Sequence, residues 1–179
     1  MTRKTVGKVA PGGRAKTSKA KPNPSSPSTA SAHLLHSIVQ GFSIPAFVIG
    51  KDHKILYWNR ALERLTRIPM KEVIGTDQHW RSFYAEPRPC MADLLVDGIE
   101  DRIPKWYAGK YRKSDLLEEA YEATDFFPAL GEKGAWLRFT AAVIRDAGGK
   151  IIGAIETLED ITERMTAELT QREGEQRLI

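Results

Sequence analysis

The stretch Ala135-Trp136-Leu137-Arg138-Phe139-Thr140-Ala141-Ala142-Val143-Ile144, the turn Arg145-Asp146-Ala147-Gly148-Gly149-Lys150, and the run Ile151 to Leu158 decide the fold class. Leu137, Phe139, Ala141 and Val143 alternate with Arg138 and Thr140, the period of a strand with one face buried. The Gly-rich turn returns the chain, so the two runs form an antiparallel hairpin. Asp160-Ile161-Thr162-Glu163 follows as an N-cap with an acid three residues on, and opens a helix carrying Ile161, Met165 and Leu169. Beyond Leu169, Arg172 and Gln176 occupy positions a coiled coil would fill with apolar residues, so a coiled coil is only suggested there.

Working outward toward the N-terminus, Ile44 to Ile49 and Ile55 to Trp58 flank Gly50-Lys51-Asp52-His53 and read as a second hairpin. Asn59 can cap a helix whose buried stripe is Ala61, Leu62 and Leu65, closed by Pro69; Val73-Ile74-Gly75 ends a further turn. Two hairpins separated by helices imply an α+β fold with an antiparallel sheet. From Thr76 to Lys133 lie 58 residues with nine of the fifteen aromatics, too many for a structureless loop. The spacing predicts one helix over Met91 to Val96, stopped by Gly98, another from Ser114 through Tyr121, and a weaker one from Ile99 toward Tyr107. Near the start, Ser31 can cap a short helix carrying Leu34, Leu35, Ile38 and Val39.

Length, charge and cysteine count bound the function. The chain has 179 residues, 27 Lys plus Arg, 23 Asp plus Glu and one Cys. Residues 1–32 hold seven of the basic groups and no acid, so residues 33–179 carry a net charge of −3 and the basic character belongs to the leader. A basic face for nucleic acid is therefore not expected of the folded part. The leader, rich in Pro and Ser and without Leu, Ile or aromatics, reads as disordered; weak contact with RNA or an acidic membrane surface is its functional alternative. One thiol makes no internal disulfide and no Cys-rich metal module, and no run of 18 apolar residues spans a bilayer. A reducing, cytoplasmic setting follows. No G-x-S-x-G turn, P-loop or H-E-x-x-H is present, so no catalysis is expected of this chain.

The order Ile44 to Ile49, Tyr57-Trp58-Asn59-Arg60-Ala61-Leu62-Glu63-Arg64-Leu65-Thr66, Val73-Ile74-Gly75, Gly148 to Ile155 and Asp160-Ile161-Thr162-Glu163-Arg164 resembles the PAS family of sensor domains, over roughly Leu34 to Met165. It is similar to the subtype of bacterial histidine kinases and diguanylate cyclases. The helix after Asn59 lacks the usual Gly, and the middle segment is longer than the family norm. The resemblance implies a five-stranded antiparallel sheet with helices over one face, a small ligand cavity, and a final helix that carries the signal onward. Residues 1–32 would be a leader, 33–160 the sensor and 161–179 a helical linker to a downstream effector domain.

Within that frame, the middle-segment aromatics have two readings, a ligand pocket or the core of a helical lid. The predicted ligand-binding set is His79, Trp80, Arg81, Tyr84, Arg88, Trp106, Tyr107, Tyr121, Phe127 and Phe139, with either Arg suited to a carboxylate unless Glu86 or Asp93 pairs it. Asp160 and Thr162 are the predicted signal-relay residues. His79 is the candidate haem ligand, against the commoner reading of a paired core histidine. Cys90 lacks the Asn-Cys-Arg context of the flavin branch and reads as a buried filler, with a reactive thiol as alternative. No metal site is expected, and His33, His36 and His53 need no chemistry. The partners implied are a small molecule, a second copy through the N- and C-terminal helices, and the effector. A ligand-free dimerisation and relay module is the competing reading.

Overall fold

β-branched and aromatic runs build a six-stranded antiparallel sheet in the order β2-β1-β6-β5-β4-β3. The computed structural model describes residues 29–176, so the leader expected over 1–32 lies mostly outside the described residues. The strands are β1 (Ala46–Gly50), β2 (Ile55–Trp58), β3 (Tyr111–Lys113), β4 (Ala120–Phe127), β5 (Ala135–Arg145) and β6 (Ile151–Asp160). Helices α1 (Thr29–Gly41), α2 (Arg60–Thr66), α3 (Met70–Val73), α4 (Met91–Asp97), α5 (Ile103–Tyr107) and α6 (Thr162–Gln176) complete the described residues, with 3-10 turns at Gln78–Ser82 and Glu100–Arg102. The α+β class is as the sequence implies. None of the helices among the described residues is long and apolar enough to cross a membrane.

Two details correct the sequence reading. The sheet has six strands rather than five, because Tyr111–Lys113 adds an edge strand to β4. The helix expected from Ser114 through Tyr121 is absent: Ser114 Oγ accepts the Leu116 N–H in a turn, and the chain enters β4 at Ala120. Tyr121 and Ala123 instead face Ala141 and Phe139 across the β4–β5 ladder. Eight paired residues of β4 outweigh a helical spacing whose Leu116 and Leu117 are left exposed.

Local chemistry positions the rest. Asn59 Oδ1 accepts the Leu62 N–H as a helix cap and also the Ala46 N–H, while its Nδ2 donates to the Ile44 carbonyl. One buried amide thus fastens α2 to the entrance of β1. Helix α4 buries Met91 through Val96 and ends on Gly98 at φ 67, a left-handed cap where Gly lacks the Cβ penalty. It lies on the inner face of β1, β5 and β6, where Phe47, Ile49, Leu137, Phe139, Ala141, Ala154 and Leu158 form the core.

Candidate functional site

The first turn of α4 gathers polar groups into that core. The Cys90 N–H donates to Asp93 Oδ2 at 2.8 Å, closing the helix start. His79, brought in by the 3-10 turn, donates from Nε2 to the same carboxylate at 2.7 Å, and its ring stacks on Phe47 at 5.3 Å. His53 reaches the other oxygen, Nδ1 to Asp93 Oδ1 at 2.7 Å, while its Nε2 meets Asp97 Oδ1 at 3.0 Å. An imidazole donating from both nitrogens is an imidazolium. Burial pulls the His53 pKa down, but Asp93 and Asp97 outweigh it and the net shift is upward. For Asp93, burial raises the carboxyl, and the hydrogen bonds from His79, His53 and Cys90 overcome that to leave it lowered. His53 holds φ 63, a left-handed conformation rare outside Gly, so the sequence reading that gave it no chemistry missed a clamp.

Glu156 enters from β6, opposite Phe47 of β1 and Ala141 of β5 on the inner face. Its Oε2 accepts the Ala92 N–H at 2.9 Å. Full burial pushes its carboxyl up to about 7, against the lowering pull of that hydrogen bond and of His79. The Cys90 thiol is likewise pushed well up, by burial first and then by Glu156 and Asp93. Cys90 is therefore a buried thiol, not the activated thiolate its place at a helix start allowed.

Beside this turn the predicted aromatics separate. Tyr84, Tyr107, Phe127 and Phe139 assemble with Phe83: Phe83 lies 5.7 Å and Tyr84 5.9 Å from Phe127, Tyr107 lies 5.6 Å and Phe127 6.2 Å from Phe139. The Tyr84 and Tyr107 hydroxyls meet at 3.2 Å. The Arg88 guanidinium lies over Tyr84 at 3.9 Å, with Trp106 at 4.9 Å and Tyr107 at 5.1 Å. Its Nε and Nη2 are buried with no hydrogen-bond partner among the described residues, so neither Glu86 nor Asp93 takes them. Trp80 packs against the core margin. Arg81 is exposed on the outer side of the 3-10 turn and donates to Gln78 Oε1, so the structure does not bring it to the Arg88 group. Tyr121, on β4 beside the edge strand, packs against Tyr111, 6.4 Å away, apart from the Arg88 group. His79 is 2% exposed between Phe47 and Asp93, the surroundings of a packed side chain rather than of one facing a macrocycle.

The sequence reading missed Glu156, Asp93 and His53 as candidate site residues. Glu156 carried a legible signal, since Ala154, Glu156 and Leu158 share the apolar phase of β6.

The predicted relay residues, Asp160 and Thr162, sit where β6 passes into α6. Asp160 Oδ1 accepts both the N–H and the hydroxyl of Thr162, at 2.9 and 2.5 Å, and Thr162 Oγ1 accepts the Trp136 N–H at 2.9 Å. Asp160 is thus not the helix cap itself: Ile161, buried, holds that position, its carbonyl accepting the Met165 N–H. On the outer face of the sheet, a groove of about 870 Å³ is lined by Ile44, Arg112, Leu116, Arg138 and Asp160. None of the predicted ligand-binding residues lines it.

The architecture has solved counterparts. The PAS domain of BvgS from Bordetella pertussis is 17% identical, with 83% of this chain and 98% of that one covered at a TM-score of 0.50. An RNA-binding light-oxygen-voltage receptor is 19% identical, with 89% of this chain and 42% of that one covered at 0.51. A sensory box sensor histidine kinase from Vibrio cholerae is 13% identical, with 74% and 93% covered at 0.41. A family model described as the PAS fold matches residues 39–166. Spanning most of the chain, from the end of α1 through both hairpins into α6, that match shows that this chain belongs to the PAS fold family.

Proposed function

We propose that this chain is the sensory domain of a cytoplasmic signalling protein, binding a small anionic molecule at Arg88 and passing occupancy through α6 to an effector such as a histidine kinase or diguanylate cyclase. One observation carries the reading. Arg88 keeps two buried N–H-bearing atoms, Nε and Nη2, without partners among the described residues, and Tyr84, Trp106 and Tyr107 hold its plane in place. Two buried guanidinium nitrogens without partners are costly, and a carboxylate accepting from that fork would offset the cost with paired, charge-assisted hydrogen bonds. The rings supply apolar contacts, with Phe127 packed against Tyr84 and Phe139 against Tyr107. Residues 33–160 are the sensing unit in this reading, with 161–179 the helical connection. The Asp160–Thr162–Trp136 hydrogen bonds support a relay from sheet to helix, because a shift of β5 would be felt at the first turn of α6.

Native mass spectrometry of the protein as purified identifies a retained ligand, and a thermal-shift panel of small carboxylates and phosphates finds an exchangeable one. A stabilising anion whose effect is lost in Arg88→Met supports the reading. A panel with no effect on a folded wild type sinks it.

A ligand-free dimerisation and relay role is the second reading, favoured by α1. That helix buries none of its residues, and Leu34, Leu35 and Ile38 are 62%, 49% and 44% exposed.

A further inference from the structure

We propose that His79, Cys90 and Asp93 form a binding site for a divalent transition-metal ion of the zinc class. One donor atom from each lies within 4.8 Å of the others, and all three residues are buried. Donors around a tetrahedral zinc, bound at roughly 2.0 to 2.3 Å, are about 3.5 Å apart, so closing the site takes a slight opening of the His79–Asp93 pair, now 2.7 Å, and a small inward shift of the Cys90 thiol. The donor set selects the ion. A thiolate, an imidazole and a carboxylate together suit zinc, cobalt or ferrous iron, whereas magnesium and calcium prefer oxygen alone.

The surroundings are arranged for an ion. Asp93 Oδ1 is held by His53, itself held by Asp97, which leaves Oδ2 facing His79. Clamping a ligand carboxylate from outside is the usual work of a supporting shell. His79 Nδ1 is buried and has no partner among the described residues. The proton on Nε2 can therefore move to Nδ1 as Nε2 turns its lone pair to the metal. Cys90 loses its thiol proton to solvent, and the new thiolate together with the Asp93 carboxylate, already ionised, neutralises the dication. A neutral cluster of this kind is tolerated in a core where a bare charge is not. The ion replaces the His79–Asp93 hydrogen bond, and it gives a function to polar groups that an apolar core otherwise carries at a cost.

The chain contains one cysteine, which makes the test specific. The full chain is unfolded in urea with a chelator, then refolded in the presence of Co2+, so that burial does not bar entry. One equivalent of Co2+ is expected to produce a thiolate-to-cobalt charge-transfer absorption, and Zn2+ to abolish it by displacement. Cys90→Ala, checked for folding by circular dichroism, should lose the band and weaken Zn2+ binding at least about tenfold. His79→Gln should lose affinity likewise, which separates the site from any surface binding. A refolded wild type without the band overturns the proposal, and so does Zn2+ binding that is unchanged in a folded Cys90→Ala protein.

Discussion

Glu156 is a carboxyl group carried into the core by the middle of a strand, and its protonation is tied to folding. Its folded pKa, raised by burial to about 7, exceeds the unfolded value of 4.5. The folded state thus binds the extra proton between these values, so its contribution is fully present below about pH 4.5 and is lost as pH rises toward 7. The loss is on the order of 3 kcal/mol. Glu156→Gln keeps an acceptor for the Ala92 N–H and removes the charge. Urea unfolding of chelator-treated protein at a series of pH values should show the variant gaining on the wild type across this window. Comparing the two cancels the His53 and Asp93 contributions, and parallel curves would refute the assignment. Asn59 is the second residue on which much depends, through its bonds to Leu62, Ala46 and Ile44. Asn59→Ala should cost about 2 kcal/mol or more, since it removes a cap and leaves two buried backbone groups unpaired. An unfolding midpoint within error of wild type would contradict this.

Elements differ in how plainly they are written in the chain. The β5–β6 hairpin and α4 were legible because alternation and a terminal Gly98 each point to one structure. The β3–β4 region was not, because Ser114-Asp115-Leu116-Leu117-Glu118-Glu119-Ala120 mimics a capped helix and only pairing with β5 decides otherwise. The aromatic group was legible as a group; the convergence of His53 with Asp93 and of Glu156 with Ala92 was not, since 40 and 64 residues separate the partners. Between β1 and β6 the backbones approach unusually closely at Gly153, where an added Cβ would lie 2.4 Å from the Ile49 carbonyl oxygen. Gly153→Ala is expected to push these strands apart and destabilise the domain by about 1–3 kcal/mol, with the loss of hydrogen-exchange protection centred on the β1–β6 ladder. Unchanged protection there would count against so tight a contact. At the far end of β6, Thr162→Ala leaves the Trp136 N–H without its partner and should raise exchange at the start of α6 while the core strands stay protected.

At the scale of the whole molecule, α1 offers an apolar stripe of Leu34, Leu35 and Ile38 that the other described residues leave exposed. Sedimentation velocity over a concentration series should show self-association of the wild type and its weakening in a Leu35→Lys, Ile38→Lys double variant. A wild type that stays monomeric at high concentration would leave the stripe unused by a second copy. The strand order has a further consequence. β1 and β6 are neighbours in the middle of the sheet although Phe47 and Glu156 are about a hundred residues apart. On the ribosome, β1 and β2 emerge early and wait as an exposed hairpin, with Phe47 and Ile49 facing water, until the last strand clears the exit tunnel. The domain can close only at the end of its own translation, so a stalled nascent chain released before β6 would be a substrate for chaperones rather than a partly working sensor.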